Sequence, residues 1–309
     1  MKILDSFKEY LKDKKTKAEY ISSMYEDCHS LLFDYAAYLK KTNIESILIK
    51  SDAVIMQSKD HKIKLICPKN DHRSVPLEIL NFMEYEREEL KMMVRLINES
   101  DTVLDIGSNI GWYSLNIAKI YPGCSIHAFE PIPKTYELLK ENAILNGLKN
   151  IEYYNFGFSD KTENKNFYYY KEGSGNASFQ NLSGRNNPEI IKCRVEKLDD
   201  FAKEKDLRIH FIKCDVEGAE LFVYQGGKSV IERDKPIIFS EILRKWSLKN
   251  NYSPNEIFKF FSSLGYQAFT CDSNKLVPFN KMTDETIFTN FFFLHEIKHK
   301  KHIINLVSN

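Results

Sequence analysis

The sequence predicts an α/β fold in which helices cover both faces of a doubly wound, mostly parallel sheet. From about residue 81 onwards, short apolar strands alternate with segments of helical periodicity. The strands are apolar along their whole length, which is typical of parallel strands buried on both faces. Acidic residues stand at or beside four predicted strand ends, namely Asp105, Glu130, Asp215 and Glu241. Because ligands of such sheets bind at the carboxyl ends of the strands, these four residues mark a candidate site.

The first 80 residues precede this alternation and form a separate region. Apolar residues recur at helical spacing between Ile21 and Leu39, which predicts helix over residues 1 to about 45. This helix either covers the main domain as a cap or forms the seam of a homodimer. Apolar runs on both sides of SKDHK predict a β-hairpin around residues 53–67, and Pro68 and Pro76 predict a loop after it.

Apolar periodicity gives the elements of the main domain, residues 81–295. Helical spacing predicts helices over 84–98, 110–120, 134–146, 219–233 and 254–264, and apolar runs predict strands over 103–106, 125–130, 151–156, 209–214, 236–241 and 289–294, with an apolar edge near 266–271. Gly147 is a typical residue to follow a helix end, and Gly226-Gly227 should interrupt the helix over 219–233. Residues 160–195 break the alternation, and their FYYY, GSGNAS and SGRNNP stretches predict an inserted hairpin with loops.

The last residues, 296–309, are rich in lysine and predict a basic, solvated tail. The stretch HEIKH, from His295 to His299, matches the H-E-x-x-H pattern of zinc proteases. Lys298, Lys300 and Lys301 would repel a cation at this position. We therefore interpret HEIKH as part of the tail and predict no zinc site there.

Composition narrows the class of protein. Lys and Arg total 44 against 43 Asp and Glu, a formal net charge of +1, whereas nucleic-acid-binding proteins usually carry a basic excess. The six cysteines are scattered without a CxxC pair, which is typical of reduced, buried thiols. The N-terminus lacks the apolar core of a signal peptide, and no apolar run approaches the roughly 20 residues of a membrane span. We expect a soluble, cytoplasmic protein that does not bind nucleic acid.

The stretch VLDIGSNIGWYS, residues 103–114, resembles a nucleotide-binding loop but departs from the dinucleotide fingerprint. That fingerprint requires G-x-G-x-x-G, and here only Gly107 fits, since Asn109 and Trp112 occupy the other two places. A side chain at the second place blocks the close approach of a pyrophosphate. A strand followed by Gly107, a polar turn and Gly111 at a helix start instead suits a carboxylate, which the helix N–H groups can meet.

The neighbouring acids complete this interpretation. Asp105 can either organise the loop or receive an ammonium group, and Glu130 can accept both hydroxyls of a ribose. A ligand with an amino-acid end and an adenosine is S-adenosylmethionine. By their position after the third strand, Phe158, Ser159 and Asp160 are expected near its adenine.

Five stretches carry a resemblance to a known family: YEREEL, VLDIGSNIGWYSL, HAFEPIP, LDDF at 198–201 and IKCDVEGAEL. They resemble the FkbM-type family of S-adenosylmethionine-dependent methyltransferases, over about residues 80–294, and the KxDxEGxE pattern after the fourth strand is the most specific element. The resemblance implies a class I methyltransferase fold and methylation of hydroxyl groups on sugars or polyketides. Ser108 stands where the family often has Ala, and the first 80 residues match nothing in it.

The residues after the fourth strand favour oxygen as the methyl acceptor. Methyltransferases that act on nitrogen often place Asn/Asp-Pro-Pro-aromatic there, but this chain has Asp215-Val216-Glu217-Gly218; the Asn-Asn-Pro-Glu at 186–189 lies in the insertion and lacks the aromatic residue. A carboxylate can take a proton from a hydroxyl or hold a cation beside it. Asp215 therefore acts either as a base or, with Glu241, as a ligand of Mg²⁺ or Mn²⁺. Lys213 either steadies a developing alkoxide or pairs with the acids.

The predicted acceptor is a sugar or nucleotide sugar of the kind used in surface polysaccharide synthesis. The 160–195 insertion is rich in Tyr, Asn, Ser and Gly, which combine flat stacking surfaces with hydrogen-bonding groups. The alternatives are methylation of another small molecule, of RNA or of protein, and cofactor binding without turnover. Neutral charge and the missing Pro-Pro pattern weigh against RNA and protein.

Overall fold

The computed structural model describes residues 2–170, 173, 177–181 and 188–307. Its N-terminal elements are α1 (Lys2–Leu11), α2 (Lys17–Met24), a π-helical turn (Tyr25–His29), α3 (Ser30–Leu39), β1 (Ile44–Ile49), β2 (Val54–Ser58), β3 (Lys64–Ile66) and α4 (Val75–Phe82). The next are α5 (Arg87–Leu96), β4 (Thr102–Ile106), α6 (Trp112–Ile120), β5 (Ser125–Phe129), α7 (Pro133–Leu145), β6 (Ile151–Tyr154), β7 (Gly157–Phe158), β8 (Glu163–Tyr169) and β9 (Glu189–Glu196). The last are α8 (Leu198–Glu204), β10 (Phe211–Cys214), α9 (Glu220–Gly226), α10 (Lys228–Asp234), β11 (Ile237–Glu241), α11 (Arg244–Lys249), α12 (Asn255–Ser263), β12 (Tyr266–Asp272), β13 (Lys275–Phe279), β14 (Asn290–His295) and α13 (Lys300–Leu306).

The main sheet has eight strands in the order β13-β12-β14-β11-β10-β4-β5-β6. The five strands from β11 to β6 are parallel, and β14 lies antiparallel between β11 and β12. The strand order reverses direction at β4, which places the carboxyl ends of β4 and β10 beside a crevice where ligands of such sheets bind. This mixed, mostly parallel topology confirms the predicted α/β class and agrees with a class I methyltransferase fold.

Two apolar cores cover the two faces of this sheet. Neighbouring residues of β4 belong to opposite cores, Val103 to one and Leu104 to the other, because side chains alternate across a strand. Helices α5, α6 and α7 pack on the first core, the one with Val103, through Met93, Leu115 and Leu139 respectively. Helices α8, α9, α10 and α12 pack on the second core, the one with Leu104, through Phe201, Tyr224, Ile231 and Phe261 respectively. The break in the predicted helix over 219–233 is confirmed, since α9 ends at Gly226.

The N-terminal region differs in detail from the prediction. The helix expected up to residue 45 is divided into α1, α2 and α3, and several of its apolar side chains, Leu31 and Leu32 among them, are exposed. The hairpin around residues 53–67 is confirmed as β2 and β3, and β1 extends it to a three-stranded sheet. The loop expected around Pro76 is instead α4; proline is tolerated in a first helical turn, where its missing N–H has no partner to lose.

The insertion contains the expected hairpin. Strands β8 and β9 pair antiparallel, so that Glu163 lies opposite Val195 at one end and Tyr169 lies opposite Glu189 at the other. Strand β7 pairs with β9 in parallel. Residues 171–172, 174–176 and 182–187 lie outside the described residues. Half of the GSGNAS stretch, most of the SGRNNP stretch and the start of the Asn-Asn-Pro-Glu stretch therefore do too.

The C-terminal segment differs from the solvated tail that its lysines predict. Residues 300–306 form α13, Leu306 is buried, and Val307 bridges to Leu276. His299 Nδ1 accepts a hydrogen bond from the backbone N–H of His295 at 2.9 Å. The apolar residues Ile303 and Leu306 lie on one face of α13 and pack on the first core, which the density of lysines conceals in the sequence. In the described part of the chain, no helix has the length and apolarity needed to cross a bilayer.

Candidate active site

The loop after β4 depends on two glycines in the left-handed region. Gly107 has φ +78°, and a Cβ at this position would lie 1.8 Å from the carbonyl oxygen of Asp215. Gly111 has φ +97°, and a Cβ there would lie 2.5 Å from Leu139 Cδ1. The first glycine therefore lets the loops after β4 and β10 touch, and the second lets α6 approach α7.

Glu130, directly after β5, fixes this loop from the side. Its Oε2 accepts a hydrogen bond from the backbone N–H of Asn109 at 3.0 Å, and its Oε1 accepts one from Ile132 N–H at 2.9 Å. Burial raises the pKa of Glu130 to about 7, although both of these hydrogen bonds act to lower it. The Glu130 carboxyl group therefore gains or loses its proton near neutral pH.

A cavity opens beside Glu130 at the carboxyl ends of the central strands. It is lined by Ile106, Gly107, Asn109, Glu130, Pro131, Gly157, Phe158, Phe167, Ala177, Phe179, Asp215, Val216 and Glu217. Four of the residues expected to bind a cofactor, Gly107, Asn109, Glu130 and Phe158, thus share one cavity. Phe167, Ala177 and Phe179 come from the insertion, which forms one wall of it.

The other residues expected to bind a cofactor lie behind this lining. Asp105 Oδ2 accepts hydrogen bonds from Ser114 N–H (3.2 Å) and Ser114 O–H (2.6 Å), so Asp105 anchors the start of α6. Ser159 is fully buried, and its Oγ contacts Asp160 Oδ1 at 3.1 Å and Lys165 Nζ at 2.9 Å. Asp105, Gly111, Ser159 and Asp160 support the lining residues without facing the cavity.

Lys213 is a buried cation among these groups. Its Nζ donates a hydrogen bond to the Gly107 carbonyl oxygen at 2.6 Å and lies 3.3 Å from Asp105 Oδ1 and 3.5 Å from Asp215 Oδ2. Burial alone would lower the pKa of Lys213, but the carboxylates of Asp105, Asp215 and Glu86 outweigh it and raise this pKa. Lys213 therefore pairs with the acids, as one of the two interpretations of the sequence holds.

Three carboxylates converge beside Lys213. One oxygen from each of Asp215, Glu217 and Glu241 lies within 4.8 Å of the other two, so these residues could together hold a metal ion. Burial raises the pKa of both Glu217 and Glu241, and the nearby charge of Asp215 raises them further. Among the described residues, Glu217 Oε2 is a buried atom without a hydrogen-bond partner.

Glu220 fixes the loop that carries these acids, a role that the sequence did not reveal. Its Oε1 accepts hydrogen bonds from the backbone N–H groups of Val216 (3.2 Å) and Gly218 (3.0 Å), and its Oε2 accepts one from Tyr252 O–H (3.2 Å). This loop needs such support because Glu217 and Gly218 have φ of +56° and +92°. The signal was present in the sequence, since Glu220 is the last residue of the KxDxEGxE pattern.

Glu86 is a second residue that the sequence analysis did not assign. It precedes α5, and its Oε2 accepts a hydrogen bond from Tyr113 O–H at 2.7 Å. Burial raises the pKa of Glu86 to about 7; the Tyr113 hydrogen bond lowers it, and the charge of Asp215 raises it again. The sequence did single out this position, because Glu86 is the second residue of the YEREEL stretch that resembles the family.

Comparison with known proteins identifies the family of this chain. The family model "Methyltransferase FkbM domain" matches residues 105–268. "Methyltransferase 1" of Beauveria bassiana is 29% identical over 142 residues, which is 40% of this chain and 57% of that protein. The "31-O-demethyl-FK506 methyltransferase FkbM" of Streptomyces tacrolimicus is 40% identical over 48 residues, 16% of this chain and 18% of that enzyme. Each match thus spans less than two thirds of the relative.

A solved structure is also similar. The methyltransferase FkbM of Methylobacillus flagellatus KT is 13% identical, with a TM-score of 0.41 over 88% of this chain and 60% of that one. The matched family domain contains the loop after β4, Glu130 and the acidic loop after β10, and it covers just over half of the 309 residues. The chain therefore belongs to the methyltransferase FkbM domain family.

Proposed function

We propose that this protein is an S-adenosylmethionine-dependent methyltransferase that methylates a hydroxyl of a sugar or nucleotide sugar. One observation carries the proposal: Asp215 and Glu217 line the same cavity as Glu130. The residues proposed to bind the cofactor and a residue able to accept a proton therefore share one cavity. The resemblance to known methyltransferases supports the same conclusion.

The residues present fit the cofactor. Among the described residues, Asn109 Oδ1 is a buried oxygen without a hydrogen-bond partner, beside the glycine turn at Gly107, and it suits the ammonium group of a methionine. The Glu130 carboxylate suits the two hydroxyls of a ribose, and the buried ring of Phe158 suits an adenine. When bound, S-adenosylmethionine supplies an electrophilic methyl group on a sulfonium.

Asp215 is the best placed proton acceptor for the hydroxyl that is methylated. It lines the cavity, and Lys213 Nζ lies 3.5 Å from its carboxylate. In this scheme Asp215 takes the hydroxyl proton as the oxygen forms its bond to the methyl carbon. Glu217 and Glu241 lie beside it, and burial together with the charge of Asp215 raises the pKa of both carboxyl groups. A second scheme has Mg²⁺ or Mn²⁺ held by Asp215 and Glu241, lowering the pKa of the acceptor hydroxyl.

Three features support a hydroxyl acceptor of small size. The name of the Streptomyces tacrolimicus relative describes methylation of an oxygen. The insertion presents the rings of Phe167 and Phe179 to the cavity, and Ser178 Oγ donates a hydrogen bond to the Glu217 carbonyl oxygen at 2.9 Å. The insertion thus contacts the loop that carries Glu217 and forms one wall of the cavity, which suits a compact acceptor such as a sugar intended for a surface polysaccharide.

The test has two arms. Calorimetry with S-adenosylhomocysteine measures cofactor binding, and transfer of a labelled methyl group is then followed with UDP-glucose, UDP-N-acetylglucosamine, GDP-mannose, dTDP-rhamnose, total RNA and a protein mixture. We expect binding and an O-methylated sugar. Methylation of RNA or protein alone would show that the acceptor is not a sugar. Binding of S-adenosylhomocysteine without any methyl transfer would indicate a non-catalytic binding protein.

A further inference from the structure

The segment Tyr85–Glu86 lies ahead of the matched family domain, at the start of α5. Glu86 has φ +42°, a left-handed conformation that is uncommon for a residue other than glycine. It occupies the N-cap position, where a short acidic side chain typically accepts hydrogen bonds from the helix. In the described part of the chain, the Glu86 side chain makes no such cap bond. Its carboxylate is turned instead to Tyr113 O–H, at 2.7 Å.

Ion pairing does not explain this carboxylate either. The adjacent Arg87 pairs with Asp60 at 3.0 Å and with Glu84 at 3.5 Å. Between residues 2 and 307, as far as the structure describes them, no salt bridge involves Glu86. A partly buried carboxylate that neither caps a helix nor forms a salt bridge is costly, even with the attraction of Lys213, and this cost favours a functional role.

Glu86 shares its surroundings with the acids of the site. The Tyr113 ring that accompanies it lies 5.7 Å from Lys213 Nζ, and Lys213 in turn lies 3.5 Å from Asp215. The charge of Glu86 also contributes to raising the pKa of Glu241, after burial and the charge of Asp215. Glu86 does not line the cavity beside Glu130. It therefore lies near these acids but outside the lining of that cavity.

We propose that Glu86 binds the methyl acceptor, with its carboxylate accepting a hydrogen bond from an acceptor hydroxyl close to the one that is methylated. The proposal rests on the proposed function. Tyr113 engages one carboxylate oxygen and so orients the other toward the acceptor. Tyr85, whose ring meets Trp112 edge-on with centroids 6.2 Å apart, supplies a flat surface beside it. Part of the acceptor specificity then lies outside the family domain.

The test compares Glu86→Gln with Glu84→Gln, an exposed glutamate two residues earlier. The substrate is whichever of the four nucleotide sugars the wild-type protein methylates fastest. We expect Glu86→Gln to raise the acceptor KM about tenfold or more, because the amide carries no charge and has only one acceptor oxygen, for which Tyr113 and the acceptor would compete. Its kcat and its affinity for S-adenosylhomocysteine should stay close to wild type. Tyr113→Phe should raise the same KM by less, and Glu84→Gln should leave all three quantities unchanged.

The outcomes separate this proposal from the proposed function. An unchanged acceptor KM in Glu86→Gln overturns it, and so does a lower kcat alone or a lower affinity for S-adenosylhomocysteine. If Glu86→Gln does not fold, Glu86→Asp keeps the charge but withdraws the oxygens by one methylene, and an unchanged KM there is equally decisive. A wild-type protein that binds S-adenosylhomocysteine but methylates none of the sugars has another acceptor class, and this inference then fails with it. A wild-type protein that does not bind S-adenosylhomocysteine contradicts the proposed function itself.

Discussion

The Glu130 carboxylate and the backbone N–H of Asn109 are joined by a 3.0 Å hydrogen bond, which links the ends of β5 and β4. The group proposed to bind the ribose therefore also holds the loop proposed to bind the methionine end. Because burial raises the pKa of Glu130 to about 7, its charge changes within the pH range in which most enzymes work.

This relationship predicts a pH-dependent affinity for the cofactor. Ribose hydroxyls donate to the ionised carboxylate, so the affinity for S-adenosylhomocysteine should rise as the pH rises through the pKa of Glu130. Between pH 6 and pH 8 the rise should approach about tenfold, the change in the ionised fraction of a group with this pKa. Glu130→Gln should bind about tenfold to a hundredfold more weakly and lose this pH dependence. Calorimetry at both pH values checks the prediction, and an affinity within a factor of about two of wild type would rule out the ribose contact.

Gly107 should not tolerate alanine. The added Cβ would lie 1.8 Å from the Asp215 carbonyl oxygen, so the loops after β4 and β10 would have to separate. We expect Gly107→Ala to lower the melting temperature and to weaken S-adenosylhomocysteine binding by about tenfold or more. Gly147→Ala is the matched control, since Gly147 also has a positive φ, +66°, but a Cβ there would have no neighbouring atom within 4 Å. That control should lose about 1 kcal/mol of stability from backbone strain alone and should bind S-adenosylhomocysteine normally. Equal effects of the two variants would contradict the proposed contact between the loops after β4 and β10.

Glu220 should be important for stability as well as for turnover. Replacing it with alanine leaves the N–H groups of Val216 and Gly218 without their acceptor, and each unsatisfied buried group costs about 1–3 kcal/mol. Urea unfolding should therefore show a loss of several kcal/mol for Glu220→Ala. Glu220→Gln keeps one acceptor oxygen and should lose less. Glu232→Ala, at an exposed glutamate of α10, is the control and should change stability little.

The positions of the main site residues were predictable because they depend on local pattern. Apolar strands with acids at their ends place Asp105, Glu130 and Asp215 at one edge of a parallel sheet, and the structure has them there. Glu86 and Glu220 lie in stretches that resemble the family, but their roles could not be predicted, because these roles depend on contacts with Tyr113 on α6 and with the turn at 216–218. In the sequence both look like ordinary acids at helix starts.

The same reasoning explains the differences in the fold. The helix α4 was missed because proline usually ends a helix, and α13 was missed because its lysines outnumber its buried apolar residues. In both cases a few apolar side chains, such as Ile79 and Leu306, pack on the first core and stabilise the helix. Tertiary packing overrides the weak local preference there.

The exposed apolar surface of the N-terminal helices predicts a homodimer. Leu32 and Phe33 on α3 are 55% and 66% exposed, as core residues of an interface would be in a separated subunit. Sedimentation velocity should show a dimer for the wild-type protein, and Leu32→Lys with Phe33→Lys should give a monomer. Ile144→Lys, at an apolar residue of α7 that is 75% exposed, is the control and should remain dimeric. A wild-type protein that stays monomeric at tens of micromolar contradicts the prediction.

Asp215 should be essential whichever way the acceptor hydroxyl is activated. If it is the base, Asp215→Asn removes the proton acceptor, and kcat should fall by about a hundredfold to ten-thousandfold. If instead a cation is held by the convergent oxygens of Asp215, Glu217 and Glu241, the same variant loses a ligand, and turnover should also stop when the metal is removed. Methyl transfer is therefore measured after exhaustive chelation, with and without added Mg²⁺ or Mn²⁺. The control variant is Asp284→Asn, which changes a fully exposed aspartate and should behave as the wild-type protein does. Full activity in chelator excludes the metal, and loss of turnover in Asp215→Asn then assigns the proton to Asp215. Activity that only the added ion restores assigns the activation to the metal. Normal turnover of Asp215→Asn contradicts both schemes.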